Sequence, residues 1–303
     1  MMLKKLSVVI VTFNSEHLIF DCLDSIYQYN DIGNALEVIV VDNNSQDQQR
    51  VFTSIQEKYP KDLQLINNPE NNGYGSGNNL GIKHSTAEHF IVMNPDVRIL
   101  NPIFKELLLK FENNRKIGML GVTFADKSNP FYLKPEYHTL FRSLFFKIYT
   151  FLKLYNMNQM YFSGSFLMFN KKTFIDAGTF DENLFLFYEE ADISNRILNL
   201  DKQLVLAKDI EVYHLTHNRA FNIELASIEM DSLEYYLNKY QLSFEKAFNS
   251  LLLIYNIKYL VAFLLIHPSK KHLFKNWINL LRMHVIKQQA DKRSSKKNEF
   301  ISI

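Results

Sequence analysis

Residues 6–45 read LSVVIVTFNSEHLIFDCLDSIYQYNDIGNALEVIVVDNNS, and they decide the fold. Leu6 to Thr12 is a continuous apolar, β-branched run, as expected of a strand buried on both faces. From Ser15 to Tyr29 the residues Leu18, Cys22, Ile26 and Tyr29 recur on one helical stripe. Leu36 to Val41 is a second buried run, ending at Asp42-Asn43-Asn44-Ser45. Strand, helix and strand in that order predict parallel strands joined by a helical crossover.

The pattern continues outward. Gln46 to Tyr59 reads as a helix that stops before Pro60. Leu63 to Asn67 is a short strand, Gly77 to Ser85 opens another helix, and His89 to Met93 is a strand ending at Asn94-Pro95-Asp96. The fold class is therefore α/β: a mostly parallel sheet with helices on both faces. Such sheets bind ligands at the carboxyl ends of their strands. Three polar clusters fall there: Thr12-Phe13-Asn14, Asp42-Asn43-Asn44 and Asn94-Pro95-Asp96. Asn44 or Ser45 would cap the helix that follows the second cluster.

Further on, a helix (Ile103 to Asn113) and a strand (Met119 to Phe124) precede a Phe/Tyr/Lys-rich stretch that carries no readable period up to Tyr161. Phe162 to Asn170 reads as a strand, with a helix to about Ala177, and Tyr188 to Asn199 reads as a helix. From Leu225 the pattern is helical. Leu251 to Ile266 is strongly apolar, but its 16 residues with Lys258 midway fall short of the roughly 20 that span a bilayer. An in-plane or re-entrant membrane helix and an ordinary buried helix both fit it. The division this implies is an α/β domain over 1–222, the candidate catalytic domain, and a C-terminal helical segment over 223–303 that either associates with a membrane or packs as an ordinary helix. The last dozen residues are low in complexity, and disorder is expected there.

Composition sets bounds. In 303 residues, 47% are apolar and 22% charged, which excludes a disordered chain. The single cysteine, Cys22, forms no internal disulfide and reads as a buried thiol, compatible with a reducing cytoplasm. The run Val8–Val11 is too short for a signal peptide. The net charge of +2 is uneven. His267 to Ile303 holds nine lysines and arginines against two acids, an excess of seven that leaves the rest at −5. A basic tail on an acidic body predicts an anionic partner, and no stacking motif points to nucleic acid.

Several residues are suited to chemistry. Asp96 follows a buried strand, where a carboxylate can hold Mg²⁺ or Mn²⁺ against a diphosphate; Asn-Pro-Asp is also ordinary turn chemistry. Asp42 could accept hydrogen bonds from a base or ribose. The stretch from Asn71 to Gly81 is glycine-rich and leads into a helix, so it is either a ligand-approaching loop or a flexible one. Phe187-Tyr188-Glu189-Glu190-Ala191-Asp192 gathers three acids beside aromatic rings, as a general base requires or as a solvated helix start would show. On a helix, Asp192 would pair with Arg196 and leave Glu190 free. His214 could complete a metal site or be structural.

These motifs, in order, are VVIVTFN (8–14), VIVVDNNS (38–45), NNGYGSGNNLG (71–81), MNPDV (93–97), the stretch 162–196 and VYHLTH (212–217). Together they resemble family 2 glycosyltransferases, especially the rhamnosyltransferase-like branch, over about Leu6 to Arg219. The resemblance implies a GT-A (nucleotide-diphospho-sugar transferase, Rossmann-like) fold, an inverting reaction and a divalent metal. It implies that Thr12, Phe13, Asn14, Asp42 and Asn43 hold the nucleotide, with Gly73, Gly75, Asn78, Asn94 and Asp96 also on the donor. Asp96 and His214 would hold the metal. Glu190 stands where the family has aspartate as base, with Asp192 as a substitute, and Gly164, Phe187 and Glu189 face the acceptor. The expected partners are a nucleotide-sugar, such as dTDP-rhamnose or a UDP-sugar, and a cell-surface polysaccharide or lipid-linked acceptor. The expected place is the cytoplasm, peripheral on the cytoplasmic face of the inner membrane. Two other readings stay open. One is a non-catalytic nucleotide-sugar-binding scaffold, suggested by Glu190. The other is a sugar-phosphate nucleotidyltransferase, which would need a lysine-rich loop after its first strand, whereas Lys4 and Lys5 precede it.

Overall fold

The computed structural model describes residues 4–60, 63–152, 155–215 and 221–301. Among these residues the strands are β1 (Leu6–Thr12), β2 (Leu36–Asn43), β3 (Gln64–Asn68), β4 (His89–Met93) and β5 (Val97–Ile99). They continue with β6 (Ile117–Phe124), β7 (Phe131–Leu133), β8 (Met160–Phe162), β9 (Phe166–Asn170) and β10 (Gln203–His214). The helices are α1 (Glu16–Gln28), α2 (Gln48–Lys58), α3 (Tyr74–His84), α4 (Phe104–Asn113) and α5 (Leu140–Phe151). After them come α6 (Lys171–Asp176), α7 (Glu189–Leu198), α8 (Ile223–Lys239), α9 (Phe244–Leu264) and α10 (Pro268–Ile301).

Eight strands form one sheet in the order β3-β2-β1-β4-β9-β6-β10-β5, and β7 pairs with β8. The first four run parallel, as the alternation of strands and helices predicts. β9 then enters antiparallel between β4 and β6, β10 runs parallel to β6, and β5 closes the edge antiparallel. Period-2 alternation sorts the side chains to two faces. Val8, Ile10, Val38 and Val40 pack with Ile19, Cys22, Ile26 and Leu107 of α1 and α4. On the other face α3 presses against β1 and β2, where Gly81 lies against Val9 and Val41. Phe90, Phe169 and Phe174 fill that face further along, with ring centroids 5.0–5.2 Å apart. Cys22 is buried as expected, and burial pushes its thiol up to about 12.

The chain divides into two compact units. One is Met1–Tyr132 with Asn156–His217; the other is Leu133–Tyr155 with Asn218–Ile303. A division at 222/223 therefore misplaces Leu133–Tyr155, the unreadable aromatic stretch, which belongs with the C-terminal helices. Four other expectations change. α3 starts at Tyr74, so most of the glycine-rich stretch is helix, its glycines serving close packing against the sheet. α9 has 21 residues and is long and apolar enough to cross a membrane, with 17% of its most apolar window buried. α10 continues to Ile301, through residues expected to be disordered; lysine, glutamine and alanine are good helix formers. The cap of α2 also differs: Asp47 occupies it, without a side-chain hydrogen bond, and not Asn44 or Ser45.

Gly81 tests the α3 packing. A Cβ there would overlap Val9 Cγ1 and touch Val41 Cγ2. Gly81→Ala should lower stability by about 1–3 kcal/mol in urea unfolding, with the fold retained. No loss of stability would mean that α3 sits looser on the sheet than described.

Candidate functional site

Strand register assembles the first part of the site. Parallel pairing puts Thr12 opposite Asp42 at the carboxyl ends of β1 and β2. Thr12 Oγ1 donates to Asp42 Oδ2 at 3.0 Å. Ser45 adds two bonds to the same carboxylate, from its N to Oδ1 (2.8 Å) and from its Oγ to Oδ2 (2.7 Å). A carboxylate has about four acceptor positions, so one remains for a ligand. Asn14, in the left-handed region at φ 50°, ties the two strand ends together. Its N donates to Ser45 Oγ (2.8 Å), and its Oδ1 accepts from Gln46 N (3.2 Å). Beside this clasp lies a cavity of about 330 Å³, lined by Thr12, Asn14, His17, Asp42 and Gln46 among others. Phe13 is half exposed next to it. The volume falls at the lower end of small-molecule sites.

Asn43 does different work. It is buried, and its Nδ2 donates to Gly73 O (3.0 Å) and Asn71 Oδ1 (3.4 Å), while its Oδ1 accepts from Asn68 Nδ2 (2.9 Å). A role as a nucleotide contact is therefore corrected to a brace for the turn into α3. Gly73 (φ 94°) needs to be glycine, because a Cβ would overlap the Phe185 carbonyl. Gly75 packs on Phe180, and Asn78 is 1% exposed with its Nδ2 on Tyr74 O (2.9 Å). Gly73 and Gly75 join α3 to the segment before α7, Asn78 bonds within α3, and the three do not form an open loop.

The second part lies where β4 ends. Asp96 is buried, and its carboxylate stands 3.5 Å from His214 Nε2. Antiparallel pairing of β5 and β10 sets His214 against Val97, and Leu215 N bonds Asp96 O at 2.9 Å. The Phe124 ring lies 5.3 Å from the imidazole. Asn94 is half-buried, and its N donates to Ser165 O (2.9 Å). Thr216 and His217, the end of the last motif, lie outside the described residues. No group of three or more His, Cys, Asp or Glu side chains gathers among the described residues. Asp96 and His214 nonetheless fit a hard divalent ion that completes its shell with ligand oxygens and water.

The third part is the acidic segment. Phe187 and Tyr188 both take left-handed φ, 74° and 69°, immediately before α7. Such strain concentrates at functional sites. It delivers Glu190 against Gly164, where a Cβ would overlap Glu190 Oε1. Desolvation raises the Glu190 carboxyl to about 7, opposed by its own and Gly164's backbone N–H groups. Glu189, expected to face the acceptor, is only 1% exposed. Its Oε2 has no hydrogen-bond partner among the described residues, and burial together with the Glu190 charge raises it well above the carboxylate range. It points into the protein, so the acceptor assignment is corrected. Asp192 is corrected as a candidate base. It is fully buried, and its Oδ2 binds Arg196 Nε (2.9 Å) and Nη2 (2.5 Å), the i,i+4 pair expected on a helix. Arg196 also donates to Ala177 O.

One residue was missed. Tyr74, half-buried in the first turn of α3, donates its hydroxyl to Gly164 O at 2.7 Å and so holds the backbone of the residue against which Glu190 rests. Nothing in the sequence marks it apart from its place among the glycines.

The sequence profile described as Glycosyl transferase family 2 matches residues 7–178, more than half the chain. The low-salt glycan biosynthesis hexosyltransferase Agl10 of Haloferax volcanii is 28% identical over 207 residues, 64% of this chain and 62% of that protein. The dTDP-rhamnosyl transferase RfbF of Shigella flexneri is 28% identical over 192 residues, 61% of this chain and 62% of that protein. The chain thus spans about three fifths of the length of these relatives. Among solved structures, the mannosyltransferase PcManGT from Pyrobaculum calidifontis, in complex with GDP-Man and Mn²⁺, is similar in fold with a TM-score of 0.57. Identity there is 16%, over 91% of this chain and 69% of that one.

The Gly164 contact makes a prediction. Gly164→Ala should displace the Glu190 carboxylate by about 1 Å and lower kcat by on the order of 100-fold, leaving nucleotide affinity unchanged. Single-turnover kinetics with calorimetric nucleotide titration would show it, and an unchanged kcat would remove Gly164 from the site.

Proposed function

Because this chain belongs to glycosyl transferase family 2, we propose that it is an inverting glycosyltransferase of glycan or cell-envelope polysaccharide synthesis. Its donor is a nucleotide-diphosphate sugar, and its acceptor a saccharide or lipid-linked saccharide, reached from the cytoplasmic face of the inner membrane. The observation that carries this reading is Glu190, a partly desolvated carboxylate seated on Gly164 at the same sheet edge as the Asp42 cavity. A dTDP-rhamnose or UDP-sugar donor is the narrower form of the proposal. The hexosyltransferase and rhamnosyl transferase descriptions of the two relatives support it.

The nucleoside would lie in the cavity beside Thr12, Asn14 and Asp42, with the remaining Asp42 acceptor position for a ribose or base donor. Asp96 and His214 would hold Mg²⁺ or Mn²⁺, which when bound neutralises the leaving diphosphate. Glu190 takes the proton from an acceptor hydroxyl. The oxygen forms its bond to the anomeric carbon from the face opposite the diphosphate, and the bond to the diphosphate breaks. One displacement inverts that centre, and the nucleoside diphosphate leaves. Glutamate is one methylene longer than the family's aspartate. The Gly164 peptide, held by Tyr74, gives the longer side chain a fixed seat. That seat favours a working base over a non-catalytic scaffold.

Two outcomes test the assignment. Glu190→Gln should lower transfer by at least about 100-fold while donor affinity stays within twofold; retained turnover would overturn it. A base must be unprotonated to work, and the Glu190 carboxyl is raised to about 7. The kcat should therefore rise with pH through about 7 and then level off. A profile flat from pH 5 to 9 would mean that another group takes the proton.

A further inference from the structure

α5 exposes a stripe of large apolar side chains that a water-soluble helix would cover. Phe141, Phe145, Ile148, Tyr149 and Leu152 are 37–63% exposed, and their spacing places them on one face. A second exposed apolar cluster closes the turn between α9 and α10. Leu260, Val261 and Phe263 to Ile266 are 47–86% exposed, Ile266 most of all. α5 packs against α9 within the same compact unit. The charge of Lys258 acts on His138, just ahead of α5, so the start of α5 lies near the later turns of α9. Exposed apolar area of this extent on a monomer marks a binding surface.

Charge identifies the occupant. The segments that hold these side chains, 137–155 and 246–290, contain ten lysines and arginines and not one aspartate or glutamate. The whole chain has 32 acids. Lys270, Lys271 and Lys275 follow the apolar turn directly, and Lys271 Nζ sits 4.9 Å from the Phe263 ring centroid. Apolar side chains flanked by cations alone suit an anionic lipid leaflet, where rings and aliphatic chains enter the acyl boundary and lysines meet phosphates. A second copy of this chain would bring cations against cations. Spanning is disfavoured although α9 is long enough. Asn256 and Lys258 interrupt α9, and its partner α10 opens with three lysines and His272 within eight residues.

We infer that α5 and the α9–α10 turn form one membrane-docking surface, lying in the plane of an anionic leaflet without crossing it. This deepens the proposal of a membrane-borne acceptor, on which its purpose rests, although lipid binding is measurable without any transfer. The test is flotation of the full chain with vesicles rich in phosphatidylglycerol and with vesicles of phosphatidylcholine alone. Binding should be confined to the anionic vesicles. It should weaken by on the order of 10-fold or more in each of Phe141→Ser/Phe145→Ser, Phe263→Ser/Leu264→Ser and Lys270→Glu/Lys271→Glu. Far-UV circular dichroism and donor hydrolysis should match the unaltered chain, because these side chains are exposed and outside the transfer site. Glu190→Gln should float normally, which separates failure of docking from failure of the catalytic assignment. Equal binding to both vesicles, or unchanged binding in the apolar pairs, would overturn the inference. So would a dimer in sedimentation that the same substitutions dissociate without any vesicle binding. Resistance of the bound chain to alkaline carbonate extraction would overturn the in-plane geometry in favour of a span.

Discussion

The antiparallel insertion of β9 between β4 and β6 is the constraint on which the candidate site depends. It pairs Met93 with Phe166, so the residues leaving β4 meet those entering β9. Asn94 N thereby bonds Ser165 O, and Gly164 lies at the same edge as Asp96. An all-parallel continuation would send this connection to the far end of the sheet. Glu190 and Asp96 would then lie a strand length apart. Tyr74 fixes the peptide from the α3 side, and α7 brings Glu190 down onto it. Three elements distant in sequence thus meet at one glycine.

The acids of α7 divide their roles by environment. Asp192 faces Arg196 and anchors the helix to Ala177. Breaking that buried pair would leave an uncompensated charge, a cost of about 3–5 kcal/mol. Glu189 is buried without comparable compensation and favours its neutral form. A neutral neighbour spares Glu190 from like-charge repulsion, so Glu190 is the member of the pair that ionises first, although burial still raises its carboxyl to about 7. Two left-handed residues, Phe187 and Tyr188, set this arrangement at the entrance of the helix.

Much of this was legible in sequence. Apolar runs announced the buried strands β1, β2 and β4, whose carboxyl ends carry the polar Thr12, Asp42 and Asp96. The i,i+4 spacing announced the Asp192–Arg196 pair. What was not legible depended on partners remote in the chain. Asn43 looked like a ligand contact because nothing local shows that Gly73 and Asn68 occupy its amide. The glycines looked like a loop because close packing against Val9 and Asn43 exists only once the sheet forms. The stretch 133–155 gave no readable signal because eight of the twelve residues of α5 are apolar or aromatic, so little of its circumference is polar enough to mark a face.

On the proposed function, the carboxyl edge of this sheet binds a nucleotide-diphosphate sugar between the Asp42 cavity and the Asp96–His214 pair. The most direct measurement is calorimetric titration of UDP-, dTDP- and GDP-sugars with and without Mn²⁺, in the unaltered chain and in Asp96→Asn. One donor should bind only with metal, and at least about 10-fold more weakly in Asp96→Asn. Metal-independent binding unaffected by that substitution, or no binding of any donor, would contradict it.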